Sequence, residues 1–218
     1  SDNEKGSQVI ITTHSNMIAC TLGLSNVLWV TDGRAQSLGD VPDDVSAFFT
    51  KADDSAFLQL LLSKRAILVE GATEFILLPK LYEQLTGRTV EEDEVAIIPC
   101  GGVSYKRYLA IAESANKKVS VITDNDGDSD KISEAASYNN SHKNQHVFLG
   151  QTAEGWTWEK CFYDANKETL DSLIEVRPKA KYLFHGKDHG PVLGKMLNNK
   201  AVVAYQMLMA ETKFTVPQ

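Results

Sequence analysis

Two short apolar runs in this chain end on carboxylates. Ile67-Leu68-Val69 leads into Glu70-Gly71-Ala72-Thr73-Glu74, and Val119-Ser120-Val121-Ile122-Thr123 leads into Asp124-Asn125-Asp126-Gly127-Asp128. Runs of this length read as buried strands, and ligands of open α/β sheets gather where such strands end. Five carboxylates brought to one edge, Glu70, Glu74, Asp124, Asp126 and Asp128, repel one another unless cations sit among them. Hard oxygen donors select magnesium, manganese or calcium. Each stretch alone is also ordinary turn chemistry; the two together at strand ends favour a metal site. Two cations held roughly 3.5–4 Å apart can activate a water and stabilise a leaving oxygen. Asp124 is placed to bridge them. Glu70 ligates one ion, Glu74 is a ligand or water-bound base, and Asp126 and Asp128 suit the second ion. Glu159, in Thr157-Trp158-Glu159 after the fourth strand, is a further candidate ligand.

The elements that must hold these residues alternate strand and helix. Strands are expected at 66–69, 95–98, 119–123 and 146–149, so a mainly parallel sheet covered by helices on both faces follows. A helix after Thr73, with that threonine as its cap, carries Leu77, Leu78, Leu81, Tyr82 and Leu85 on one face. Gly87 ends it, and Pro79 tightens it near its start. A second amphipathic helix runs from Tyr105 to Asn116, while the polar stretch Ser137 to Gln145 reads as a loop. Helices dominate from Trp158 onward. Nearer the start, Gln8 to Ser15 and Val27 to Val30 read as strands around a short helix over Met17 to Leu24. The acidic stretch from Leu38 to Ser55 reads as a linker with a helical turn, and Ala56 to Leu62 as a helix.

At 218 residues, with 43% hydrophobic and 23% charged residues, the chain has the composition of a globular α/β domain with a small appendage. No apolar run approaches the length of a membrane span. Cys20, Cys100 and Cys161 lie far apart and form no Cys-x-x-Cys, which excludes a zinc ribbon and fits a reducing cytoplasm. The net charge of −7 speaks against a nucleic-acid partner only as a total. Between Val176 and Lys200, the six cations Arg177, Lys179, Lys181, Lys187, Lys195 and Lys200 face only Asp188, a local balance of +5. Such a stretch can track phosphates, and it can equally be a solvated face. His142 and His146, and likewise His185 and His189, are four apart, but their surroundings suit surface histidines better than zinc ligands.

Val69-Glu70-Gly71 with Thr73-Glu74, followed by Asp124-x-Asp126-x-Asp128 after an apolar strand, resembles the Toprim domain of topoisomerases, primases, recombination mediators and OLD (overcoming lysogenisation defect) nucleases. Flanking features are similar to the OLD nucleases in particular. Gln8 to Ser15 resembles the last strand of an ABC-type ATPase, with His14 at the switch-histidine position. Thr157 and Glu159 match a threonine and glutamate after the fourth strand, and Lys200 opens a helix that resembles one carrying a functional lysine. The resemblance implies an ATPase remnant over 1–38, a linker and helix over 39–64, a Toprim catalytic core over 65–160, and a helical region over 161–218. It implies a metal-dependent DNA endonuclease of phage defence using two Mg2+ or Mn2+ ions, with Ca2+ able to occupy the site. Glu70, Glu74, Asp124 and Lys200 would be catalytic, and Lys179, Lys181, Lys187 and Lys195 would contact DNA. Lys200, on a helix docked on the sheet, would stabilise charge near the metals, while Lys195, in a Gly-rich approach, has less to fix it. Dimerisation through the ATPase region and a helicase partner are implied as well. No Gly-x-x-x-x-Gly-Lys-Ser/Thr loop is present, and Gly190 to Met196 is one residue short of it, so no ATP binding is expected. Rival readings are a topoisomerase or primase, for which the nucleophile-bearing or zinc-binding parts are missing, and a non-catalytic DNA-binding or interaction module.

Overall fold

The computed structural model describes residues 8–31, 33–51, 56–101, 105–177 and 181–217. Its centre is a four-stranded, all-parallel sheet: β3 (Arg65–Val69), β4 (Val95–Pro99), β5 (Lys118–Ile122) and β6 (Gln145–Phe148), in the order β4-β3-β5-β6. The chain leaves β3 through α4 (Ala72–Thr86) to β4 on one side. It then crosses through α5 (Tyr105–Ser114) to β5 on the other side. The point where strand order reverses therefore lies between β3 and β5, at their C-terminal ends. This is where an open α/β sheet leaves a crevice. Val69 pairs in register with Ile122, so Glu70 and Thr123–Asp124 emerge side by side.

Alternation along the strands divides the sheet into two faces. Ala66, Leu68, Val119, Val121 and Val147 point into one core, which they share with α5, α3 (Ala56–Leu62) and α6 (Ser129–Ser141). Val45 and Phe49 of α2 (Asp43–Lys51) complete that core. Leu24 and Leu38, which flank the hairpin of β1 (Leu28–Thr31) and β2 (Arg34–Ser37), are fully buried in it too. A second core forms where Leu77 and Leu81 of α4 meet α7 (Trp158–Ala165), α8 (Lys167–Leu173), α9 (Pro191–Asn198) and α10 (Lys200–Met209). A short hairpin of β7 (Leu183–Phe184) and β8 (Lys187–Asp188) precedes α9.

Several expectations change. The second sheet face is only partly covered: Ile67, Ser120 and His146 line an open cleft of about 410 Å³. Residues 8–15 form no strand, although the short helix that follows is present as α1 (Asn16–Leu22). The strand near Val30 turns back at Gly33 into an antiparallel partner rather than entering a βαβ unit. Leu85, in the last turn of α4, is solvent-exposed. Helix α4 continues through Pro79 without interruption. The stretch expected as a loop is largely helical, since α6 runs to Ser141. There the Ser133, Ser137 and Ser141 hydroxyls donate to carbonyls four residues back, so polar side chains satisfy themselves on the helix instead of breaking it.

Candidate metal centre

Glu70, directly after β3, accepts a hydrogen bond from the Thr123 hydroxyl at 2.6 Å and from the Asp124 backbone N–H at 3.1 Å. The ends of the two central strands are thus tied together through the carboxylate itself. Gly71 caps α4, and a Cβ there would stand 2.8 Å from the Glu74 Oε2, so this glycine leaves the space the glutamate fills. Glu74 sits in the first turn of α4, only 2% exposed, and its Oε2 has no hydrogen-bond partner. A buried, unpartnered carboxylate oxygen is costly unless a cation or a proton meets it.

Asp124 is held from the opposite side. Its Oδ1 accepts from the Trp158 N–H at 2.8 Å, satisfying an orphan amide at the start of α7. Its Oδ2 lies 2.9 Å from the Thr157 hydroxyl, which is also 2.6 Å from the Glu159 Oε2. A hydroxyl has one proton and can donate to only one of these oxygens at a time. Glu159, 1% exposed, accepts from the Thr73 hydroxyl at 2.6 Å and is met by the Lys200 ammonium at 3.0 Å on both oxygens. Thr73 thus serves Glu159 rather than capping α4, whose cap is Gly71.

Electrostatics mark the cluster. Burial first, then the charges of Glu159 and Asp124, push the Glu74 carboxyl up to about 7. Burial likewise raises Asp124 to about 6, with Glu159 and Glu70 adding repulsion against the lowering hydrogen bonds from Trp158 and Thr157. For Lys200, burial opposes the charge, but the Glu159 carboxylate, with Asp124 and Glu74 behind it, outweighs that and holds the ammonium above its ordinary value. These are the shifts expected where carboxylates are crowded without a cation.

Lys200 is presented by α10, whose Val203, Ala204 and Met207 pack with Leu77 and Leu81 of α4. Lys80 donates to the Met207, Leu208 and Ala210 carbonyls, closing the C-terminal end of α10 against α4. The helix therefore docks on α4 and not on the sheet, and Val202 and Tyr205 face solvent.

The other two aspartates lie in a more open setting. Asn125, Asp126, Gly127 and Asp128 form a turn closed by the Asp128 N–H on the Asn125 carbonyl, with positive φ at both central residues. Asp126 is exposed and paired with Lys131 at 2.5 Å. Asp128 caps α6 by accepting from the Asp130 N–H at 2.8 Å. Fully buried Asn125 anchors this turn, donating to the Gly150, Thr152 and Gly155 carbonyls and accepting from the Gly127 N–H. Gly150 permits that contact, since a Cβ there would collide with the Gly155 carbonyl at 2.0 Å.

Among the described residues, no three His, Cys, Asp or Glu side chains are gathered so as to hold one ion. The reason is visible in the hydrogen bonds: Glu70, Asp124 and Glu159 have turned oxygens onto protein donors. The donor set still fits hard cations, because Glu74 keeps a free buried oxygen and a carboxylate oxygen can accept more than one contact. Glu159 is the most heavily engaged of these carboxylates, its oxygens met by the Thr73 and Thr157 hydroxyls and the Lys200 ammonium.

Residues 61–126 match the family model described as Overcoming lysogenization defect protein-like, TOPRIM domain. This Toprim segment contains Glu70, Glu74, Asp124 and Asp126, and it supports reading this part of the chain as the Toprim part of an OLD-family protein. Toprim domains generally bind divalent metals and are typically catalytic in nucleases and primases. No curated protein matches the chain. Asp128, Glu159 and Lys200 lie outside the matched Toprim segment but beside it in space.

Of the cations expected on DNA, Lys181 and Lys187 are exposed near the β7–β8 hairpin, and Lys179 lies outside the described residues. Lys195 is on α9, where its ammonium donates to the Glu175 carbonyl at 2.5 Å, so it is held rather than loose. Trp156 packs on Phe184 and His189, and Trp158 on Phe162. No helix among the described residues is long and apolar enough to cross a membrane.

Proposed function

We propose that this chain is a metal-dependent DNA endonuclease, the nuclease region of an ATPase–nuclease. Residues 1–38 enter the proposal as an ATPase remnant on the resemblance of Gln8 to Ser15 alone. The observation that carries the reading is Glu74: a carboxylate 2% exposed, with an unpartnered oxygen, beside Asp124 at the C-terminal switch point of a Toprim sheet. Magnesium or manganese held by Glu70, Glu74, Asp124, Asp126 and Asp128 would supply charge neutralisation of the phosphodiester and activation of a water.

The chain's own residues do the rest. Glu70 locks the ends of β3 and β5 together, so its own carboxylate and that of Asp124 keep a fixed relation. Thr157 and the Trp158 amide orient Asp124. Glu159 acts as a positioning residue: it keeps the Lys200 ammonium charged at the edge of the acidic cluster, where it can meet the negative charge that develops on a phosphoryl oxygen. Lys181, Lys187 and Lys195, with Lys179, would follow the nucleic-acid backbone.

The test is incubation of the purified chain with supercoiled plasmid and Mg2+ or Mn2+. Nicked or linear product is expected. Relaxed topoisomers would make it a topoisomerase, and unchanged plasmid with retained DNA binding would make it an interaction module.

A further inference from the structure

A cavity of about 580 Å³ opens between α5 and α6 and reaches the candidate metal centre, where Glu70, Thr123 and Asp124 line it. Its wall chemistry differs from that of the metal centre. Leu109, Ala135 and Val147 are buried apolar residues at its floor, and Tyr105 and Tyr138 are half-buried aromatic rings along it. Tyr138 is held in place, stacked on His142 with ring centroids 3.8 Å apart and donating its hydroxyl to Gln145 at 2.5 Å. Exposed carboxylates of Glu113 and Glu134 stand on the two facing helices, which also bring Lys106 and Lys131 to the lining, Lys131 being paired with Asp126.

Resting on the nuclease reading, we infer that this cavity receives an unpaired nucleobase of the strand whose phosphate lies at Glu70 and Asp124. The cavity and the metal centre share those two carboxylates, so a nucleotide adjoining the bound phosphate is the group that continuity brings to its mouth. A stacked, paired base cannot enter a cleft between two helices, whereas an extruded or single-stranded base can. Apolar and aromatic walls suit the faces of any base. Acceptor carboxylates at the rim favour bases with an exocyclic amine, the donor that a glutamate reads on cytosine and that adenine also offers. The substrate class this implies is DNA with an unpaired, amino-bearing base beside the cleaved bond.

The experiment uses fluorescence anisotropy in Ca2+ with labelled duplexes carrying one unpaired adenine, one unpaired thymine or one abasic bulge. The wild-type chain should bind the adenine bulge roughly tenfold more tightly than the abasic one, the scale of one base stacked on protein rings, with thymine between. Ala110→Trp, from a half-buried position lining the cavity, should remove the preference for a base while leaving abasic-bulge affinity unchanged. Glu113→Ala with Glu134→Ala, both exposed and compatible with folding, should erase the adenine-over-thymine difference and keep the preference for a base. Equal wild-type affinity for all three duplexes overturns the inference, as does a preference that survives Ala110→Trp in a folded protein. Plasmid cleavage distinguishes the two readings. A chain that cuts plasmid but ignores the unpaired base retains the nuclease reading and loses the cavity. One that prefers the base but cuts nothing does the reverse.

Discussion

The carboxylates of this site fall into two groups that the protein treats differently. Glu70, Glu74, Asp124 and Glu159 lie inward: Glu70 and Asp124 accept from threonine hydroxyls and backbone amides, Glu159 meets Thr73 and the Lys200 ammonium, Glu74 keeps an unpartnered oxygen, and Glu74 and Asp124 are pushed toward neutrality. Asp126 and Asp128 lie outward on a tight turn, one paired with Lys131 in solvent and the other capping α6. The inner group costs stability while no cation is present, since its charges are desolvated and mutually repulsive. Asp128, by contrast, contributes stability as a helix cap. On the proposed function, chemistry and stability are opposed in the inner group and aligned in the outer turn, the pattern expected where a fold holds strain for chemistry.

The inner and outer groups can be separated by substitution. After loss of a metal-binding carboxylate, the next largest effect should come from Lys200→Ala, lowering plasmid cleavage on the order of 10²–10³-fold with DNA affinity nearly unchanged. Lys195→Ala should do the opposite, weakening DNA binding and reducing its salt slope by about one phosphate contact with little change in the rate at saturating DNA. An exchange of these two phenotypes would detach Lys200 from the inner group. Thr157→Val, which removes the hydroxyl between Asp124 and Glu159, should lower the cleavage rate or apparent metal affinity roughly 10–100-fold, as loss of an orienting partner does. Asp128→Ala should reduce cleavage only a few-fold, yet lose about 1 kcal/mol of stability through the missing cap, measured by urea unfolding.

Stability against pH probes the inner group without any substrate. Glu74 and Asp124 are raised in the folded chain, from 4.5 to about 7 and from 3.8 to about 6. Between pH 4 and 7 the folded state thus binds more protons than the unfolded state, and stability from this source falls as pH rises. In metal-free buffer, the melting temperature should decline across that window. Added Mg2+ or Mn2+ should raise it more at pH 8 than at pH 5. A decline of the same size in Glu74→Gln/Asp124→Asn would place the pH dependence elsewhere.

Much of this centre is legible in the chain. Short apolar runs ending in Glu70 and Asp124 mark both strands and the edge where their carboxylates emerge, because burial gives way to polar residues at one position. Lys200 is found by its resemblance and is indeed beside the acids. What the chain does not disclose is which hydroxyl serves which carboxylate. Thr73 lies 86 residues from Glu159, so local rules assign it to a helix cap, and Thr157 lies 33 from Asp124, so its match to a family threonine does not say which carboxylate it serves. Asn125 hides for the same reason, as a turn residue whose partners come from the Gly150–Gly155 loop. Helix α6 is missed because a serine- and asparagine-rich stretch reads as loop unless its hydroxyls bond back to the helix. The sequence pair Asp32-Gly33, between β1 and β2, is by contrast a hairpin signal.

The most direct test of the central claim pairs two readings on one variant, Asp124→Ala: plasmid cleavage in Mn2+ and thermal stability without metal. A folded protein with no detectable metal-dependent cleavage is expected, with a metal-free melting temperature that falls less than the wild type's between pH 4 and 7, because a crowded, desolvated carboxyl has been removed. Substantial cleavage by the folded variant would contradict that claim.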